Sequence, residues 1–430
     1  MNADHPFVVL PREAAQRIED ADSNVGELNL HYLRSEDMYV VRRVARNNVG
    51  VEIALPGYRT LNWEGEVFVG QWMTKPAPGI NESHLDALRR GADVYVPYSS
   101  FKTLIPSLRN PGSKTGFLIT YDPDIPAEWL ALGAQRFAAW LVSRDGVRPM
   151  PLAVEPKTFG LSQLDGKWPV ADLQRASVAV VGVGSIGGAA AQALAQYGVG
   201  TVALVDPDRF LWHNMVRHVL GHDAVGRYKV DALKTVLGQR WPNTVAGTYR
   251  LDVVEDAHMM RSLFAEVDLV LCAADGVAPR RVVSHLARRA GKPAILACVL
   301  DDGAVAEVIR FRPGPRYGCL LCLRKSLRHK GALDAEAAQE LDYGTGFIHR
   351  PMTAVGADLH LVGLVAAKAA VATLLEWKHG DHTQRLPGDY ATIGLRPPGD
   401  MAAPFDLDRA LQVNWAGIPS PRPDCATCHP

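Results

Sequence analysis

From Ser177 onward the chain alternates short, wholly apolar runs with longer stretches of helical spacing. SVAVVGVG reads as a buried strand running into a glycine turn. SIGGAAAQALAQYG reads as a helix of small residues, and GTVALVDPD as a second strand. Further strands are expected at residues 268–272 (DLVLC) and 294–299 (AILACV), with helical segments between them. Strands without a polar face, alternating with helices, predict a doubly wound, mostly parallel α/β sheet. In such a sheet ligands bind beyond the carboxyl ends of the strands. The run LHLVGLVAAKAAVATLLEW carries Lys368 near its middle and is read as a buried helix that falls short of a membrane span.

The first part of the chain has a different texture. VVRRVARNNVGVEIALPGY and GEVFVGQW read as short strands broken by turns. Residues 126–142 (PAEWLALGAQRFAAWLV) have helical spacing with a proline near the start. A small α+β domain follows from this. The proline- and glycine-bearing residues 147–168 are the candidate linker. The expected division is an accessory domain at 1–156 and a larger α/β domain at 157–430.

Composition narrows the partners. Lys plus Arg equals Asp plus Glu at 46 each, so nothing favours a nucleic-acid or membrane-surface partner. The opening MNADHPFVVLPREAAQ lacks the apolar core of a signal peptide, and a cytoplasmic location is the expectation. Four of the six cysteines form two Cys-x-x-Cys pairs, Cys319 with Cys322 and Cys425 with Cys428, which is not a secreted disulfide framework. Two such hooks make a closed tetrahedral thiolate site for structural zinc. Such a centre would pin the segment DLDRALQVNWAGIPSPRPDCATCHP to the larger domain.

The candidate chemistry begins at Gly182-Val183-Gly184-Ser185-Ile186-Gly187, between a strand and a helix. The first glycine permits a tight turn, the second lets phosphate approach the backbone, and the third lets helix pack on strand. Helix N-terminal amides then face an anion. Asp206 ends the next strand, where a carboxylate can accept bonds from ribose hydroxyls. Alone, these features say nucleotide or dinucleotide, and an NAD-dependent oxidoreductase fits them. The following segment, DPDRFLWHNMVRHVLGHDAVGRYKVDAL, changes the reading. With Asp206 and Asp208, Asn214 and Arg217, Gly226 and Lys229, it resembles the ThiF superfamily. That superfamily includes MoeB-type sulfur-carrier adenylyltransferases, ubiquitin-activating enzymes and a peptide-adenylating enzyme of microcin biosynthesis. Asp275 in LCAADG matches a further family aspartate, and VIRFRPGPRYGCLLCL matches the family stretch that leads into the first cysteine hook.

The resemblance implies ATP-dependent adenylation of a carboxylate, at the C-terminus of a small ubiquitin-like or sulfur-carrier protein or of a precursor peptide. It implies that Asp206 holds ribose, that Arg217 and Lys229 hold phosphates, that Asn214 lines the site, and that Asp275 holds magnesium. It also implies a homodimer. Fixed cations suit the chemistry, because a carboxylate and a triphosphate are both anions. His213 and His218 are expected to line the nucleotide site. His218 and His222, four apart, share a helix face in the competing metal reading.

Two features depart from the family. The stretch LRKSLRHKGALDAEAAQELDYGTGFIHRPMTAVG holds no cysteine, so no thioester nucleophile stands there. Thr345 and Thr353 are candidate channel residues in it, and Cys298 is a more distant thiol at a strand end. The arginine-rich segment before the glycine strand is replaced by KTFGLSQLDGKWPVADLQRA, where Lys157 and Arg175 are the available cations. The resemblance starts near Leu164 and leaves the N-terminal domain to recognise substrate. A non-catalytic scaffold is the reading from a different class. Its hallmark, loss of the phosphate-binding cations and the metal aspartate, is missing from this sequence.

Overall fold

The computed structural model describes residues 6–46, 49–52, 66–91, 95–156, 160–164, 166–330 and 354–429. The chain divides into two compact units, Met1–Phe159 and Gly160–Pro430.

The first unit contains β1 (Phe7–Leu10), α1 (Arg12–Glu19), β2 (Val25–Leu33), β3 (Met38–Arg46), β4 (Val49–Glu52), β5 (Val67–Thr74), α2 (Ile80–Arg90) and α3 (Tyr98–Leu104). It continues with β6 (Gly116–Tyr121), α4 (Ala127–Ala131), β7 (Phe137–Val142), β8 (Val147–Met150) and β9 (Leu152–Val154). The strands form one mixed sheet in the order β8-β7-β6-β5-β2-β3-β1-β9, with β4 beside β3.

Two sequence expectations fail here, both at residues the sheet claims. The helix expected over 126–142 ends after Ala131, where Gly133 takes φ +100°, and the remainder is strand β7. All six β7 residues are buried. Phe137, Ala139 and Leu141 join the core with Leu28, Leu30 and Trp72. Ala138, Trp140 and Val142 face the other way, against Ile80, Phe101 and Ile105. A strand covered on both faces loses its polar alternation and becomes hard to tell from a buried helix by pattern. The expected linker also folds in its first half, as β8 and β9, the latter pairing in parallel with β1.

The second unit contains α5 (Val170–Gln174), β10 (Ser177–Val181), α6 (Ser185–Tyr197), β11 (Thr201–Val205), α7 (Lys229–Arg240), β12 (Val245–Tyr249), α8 (Ala257–Glu266) and β13 (Leu269–Cys272). After these come α9 (Val277–Arg289), β14 (Ala294–Leu300), β15 (Val305–Phe311), α10 (Leu320–His329), α11 (Gly356–His379), β16 (Tyr390–Gly394) and β17 (Val413–Ala416). The sheet order is β12-β11-β10-β13-β14-β15-β16-β17. The first five strands are parallel and the last three antiparallel.

Alternation along β10 explains the two helix layers. Val178 and Val180 pack with α6, α7 and α11, while Ala179 and Val181 pack with α8, α9 and α10. Each fully buried valine or leucine contributes about 1.5–3 kcal/mol of transfer free energy, so both faces must be covered. Helix α11 is long and apolar enough to cross a membrane, contrary to its sequence reading as too short. Most of its apolar residues are buried instead, and Gly363 lets it approach α6 so closely that a Cβ there would meet Ile186 O at 2.4 Å.

Candidate nucleotide site and four-cysteine centre

The strand order places β10 between β11 and β13, so their carboxyl ends border one crevice. The glycine turn occupies it. Gly182 has φ +79°, and a Cβ there would lie 2.5 Å from Ala274 Cα, in the loop after β13. At Gly187 a Cβ would lie 1.8 Å from Gly182 O, so strand end and helix start can meet only without a side chain. At Gly184 a Cβ would meet nothing within 4 Å, which is the open side of the crevice. Gly184 caps α6 with no side-chain hydrogen bond. The first intrahelical bond runs from Gly188 N to Gly184 O at 2.7 Å, leaving the amides of Ser185, Ile186 and Gly187 without helical partners. Those amides and the positive end of the helix suit an anion.

Val183, inside the turn, is held from both sides. Its N–H donates to Asp206 Oδ2 at 2.9 Å, and its carbonyl accepts from His218 Nε2 at 2.7 Å. His218 Nδ1 accepts from Leu220 N at 3.1 Å, which fixes the neutral tautomer with the proton on Nε2. Burial drives the His218 pKa down to about 4, in keeping with that assignment. His218 therefore positions the turn and does not face a ligand. His222 opens a separate short turn and is exposed, so the shared helix face required for a metal pair does not exist. Only its place in the asparagine–arginine segment hinted at His218; the partner lies 35 residues earlier.

The ionisable groups converge. Asp206 is buried and also accepts from Asp208 N at 2.9 Å. Lys229, the first residue of α7, donates to Asp208 Oδ2 at 2.7 Å and lies 3.6 Å from Asp206 Oδ1. Burial alone would depress the Lys229 pKa, but Asp206 and Asp208 outweigh it and hold the ammonium above its ordinary value. Burial raises Asp206, with Lys229 opposing. Asp275 follows β13. Its surface opens on the crevice, yet it lies deep within the protein volume, which pushes its pKa up against the opposing charges of Lys229, Arg217 and Arg280. Arg217 is half-buried, and its backbone carbonyl accepts from His360 Nε2 of α11 at 2.8 Å.

Asn214 is present but differently employed. Its side-chain oxygen accepts from Leu211 N at 2.8 Å, and its backbone carbonyl accepts from Arg217 N and His218 N. It shapes the loop that carries Arg217. Arg175 is exposed and bound to Asp172 at 2.7 Å. Lys157, Thr345 and Thr353 lie outside the described residues.

A second group escaped sequence reading. Arg280 is buried, donates from Nε to Gly276 O at 2.7 Å, and so braces the turn after Asp275. Its Nη1 donates to Cys298 Sγ at 3.0 Å. Cys298 is half-buried, 3.7 Å from the fully buried Glu307, which accepts two bonds from Arg324 at 2.6 and 2.7 Å and one from the Tyr390 hydroxyl. No local motif announces this network because its members lie on α9, β14, β15, α10 and β16.

Arg324 belongs to the helix that follows the first cysteine hook. The sulfurs of Cys319, Cys322, Cys425 and Cys428 all lie within 4.8 Å of one another. The shorter separations are 3.5 Å for Cys319–Cys425, 3.8 Å for Cys322–Cys428 and 4.0 Å for Cys319–Cys322. A tetrahedron with zinc–sulfur bonds of about 2.3 Å has edges of about 3.8 Å, so the donor set and spacings fit zinc. Gly318 N donates to Pro419 O at 2.8 Å and ties the same tail down beside the sulfurs.

Comparison with known proteins bears on the second unit. The ThiF family profile matches residues 159–393. Uncharacterized protein y4oA of Sinorhizobium fredii is 30% identical over 179 residues, covering 38% of this chain and 30% of that protein. Adenylyltransferase and sulfurtransferase uba4 of Aspergillus fumigatus is 33% identical over 157 residues, 34% of this chain and 31% of that one. The chain thus spans about a third of the length of these curated relatives. The structure of E. coli MccB with ATP is 20% identical, with a TM-score of 0.43 over 60% of this chain and 68% of that one.

Proposed function

Because the chain belongs to the ThiF family, we propose that it uses ATP to adenylate a carboxylate, at the C-terminus of a small carrier protein or a peptide. The carrying observation is the convergence of the uncapped α6 N-terminus with Asp206, Asp208, Lys229 and Asp275 around one crevice. In the reaction a carboxylate oxygen attacks the α-phosphorus. The bond to the bridging oxygen breaks, and pyrophosphate leaves with its electron pair.

The α6 amides receive phosphate, and Asp206 accepts from the ribose hydroxyls. Lys229 and Arg217 offset charge that develops on the transferred group; one such fixed donor is worth roughly 10²–10³ in rate. Asp206, Asp208 and Asp275 match Lys229, Arg217 and Arg280 in number, so the site has no positive charge left over and a triphosphate needs a divalent cation with it. Asp275, open to the crevice, and the partly exposed Asp208 offer the hard oxygen ligands magnesium prefers. Magnesium there would neutralise phosphate charge. The cysteine centre would hold structural zinc, and metal analysis should find about one zinc per chain.

The sequence between α10 and α11 holds no cysteine, which supports release of the acyl-adenylate to an external or substrate-borne nucleophile. The first unit would recognise the carrier or peptide, and the working enzyme would be a cytoplasmic homodimer. Pyrophosphate exchange tests the reading. Label should enter ATP only with the carboxylate substrate present, and Lys229→Ala or Asp275→Asn should lower exchange at least ~100-fold. Full exchange in both variants would refute the site.

A further inference from the structure

The end of the second sheet remote from the nucleotide crevice holds a cavity of about 540 Å³. Strand β15 runs against β14, with Phe311 opposite Ala294, so Arg310 and Arg312 emerge where the parallel strands begin. The crevice lies at the other ends. Asp389, just before β16, and Glu376, near the end of α11, complete the polar wall.

The pairing in this wall is dense but unequal. Arg310 binds Asp389 at 2.6 Å and Glu376 at 2.8 Å. Arg312 binds both oxygens of Asp389, at 2.9 and 2.7 Å, and Glu376 at 3.2 Å. Arg312 Nε is buried with no partner among the described residues. Arg385 lines the same cavity and is exposed, and its side chain has no ion-pair partner among the described residues. Three guanidinium groups thus face two carboxylates, leaving one positive charge in excess. At Gly417 the wall is bare backbone, where a Cβ would meet nothing within 4 Å. The existing ion pairs hold the first two arginines rigid, and Arg385 is left to take a ligand.

We infer that this cavity binds a small phosphate-bearing molecule, with Arg385 as its principal contact. Planar guanidinium forks match phosphate oxygens. The volume falls in the range of small-molecule pockets and far exceeds one inorganic phosphate, which favours an organic phosphate over the free ion. The inference is independent of the adenylation reading, because none of these residues touches the crevice.

Calorimetric titration of the full chain with inorganic phosphate and, separately, with ribose 5-phosphate tests it. Variants Arg385→Ala and Lys229→Ala separate the two sites, and Arg385 is exposed enough to be removed without loss of folding. Binding should fall at least tenfold in Arg385→Ala and stay within twofold in Lys229→Ala. Ribose 5-phosphate binding tenfold more tightly than phosphate supports an organic ligand, and equal affinities support phosphate itself. Absence of binding by both probes, or binding insensitive to Arg385→Ala, overturns the assignment.

Discussion

The two units bury polar groups in different ways. In the first, the buried polar side chains among the described residues are Gln71, Thr74, Asn81, His84 and Thr120, none of which carries charge. Asn81 donates to Arg136 O at 2.7 Å and accepts from the Thr120 hydroxyl at 2.7 Å; His84 Nε2 lies 3.0 Å from the carbonyls of Ala139 and Met150. The second unit buries Asp206, Lys229, Arg280, Glu307, Arg310, Arg324 and Asp389. Burying charge is costly and rarely favoured over apolar packing for stability alone. Neutral hydrogen bonds suffice to specify a sheet core. Charges deep in the second unit are expected where a site must handle charge, and perturbed groups gather at such sites.

The largest effect should come from breaking the most enclosed pair. Glu307→Ala removes the buried carboxylate that accepts two bonds from Arg324, and should destabilise the second unit by about 3–5 kcal/mol, read by hydrogen exchange in β15 and α10 during urea titration. A loss below 1 kcal/mol would remove the contrast with the first unit.

Acid should act next, and on both units alike. Burial lowers His84 and His218 to about 4. Each stays neutral when folded and would take a proton near pH 6.5 when unfolded. Their contribution is therefore whole above about pH 6.5 and is lost as pH falls towards 4, by about 3 kcal/mol each. Replacing His84 with Gln should flatten that slope in the first unit only. An unchanged slope would dissociate the histidine from the acid response.

Asn81→Ala sharpens the neutral side of the comparison. It removes the acceptor of the Thr120 hydroxyl and a donor to backbone carbonyls, and should cost about 2 kcal/mol in the first unit. The smallest effect belongs to the exposed Arg109–Glu27 pair. Arg109→Ala should shift stability by no more than about 0.5 kcal/mol, since water and salt screen the charges. A larger loss would mean that surface charge supports the first unit after all.

Legibility followed the range of the interaction. The glycine turn and Asp206 belong to one strand–helix–strand stretch and show in local spacing, whereas the Asp208-to-Lys229 segment follows that stretch and is legible through its resemblance to the ThiF family. The cysteine hooks are distant from each other, but each is a local pair. Strand β7 was misread because its neighbours β6 and β8, and the helices over both faces, set its conformation against its spacing. Sheet order in the first unit was hidden for the same reason: β1 takes β3 and β9 as parallel neighbours from opposite ends of the unit. The bracing roles of His218 and Arg280 depended on backbone carbonyls that no residue type marks.

Cys319 meets Cys425 across 106 residues of chain. During synthesis the first hook emerges with the strands of the sheet, long before the second. Until Cys425 and Cys428 clear the ribosome, it presents a pair of thiols without their partners. Closure of the cysteine centre therefore waits for the second hook, and the zinc proposed for it would find its full donor set only then.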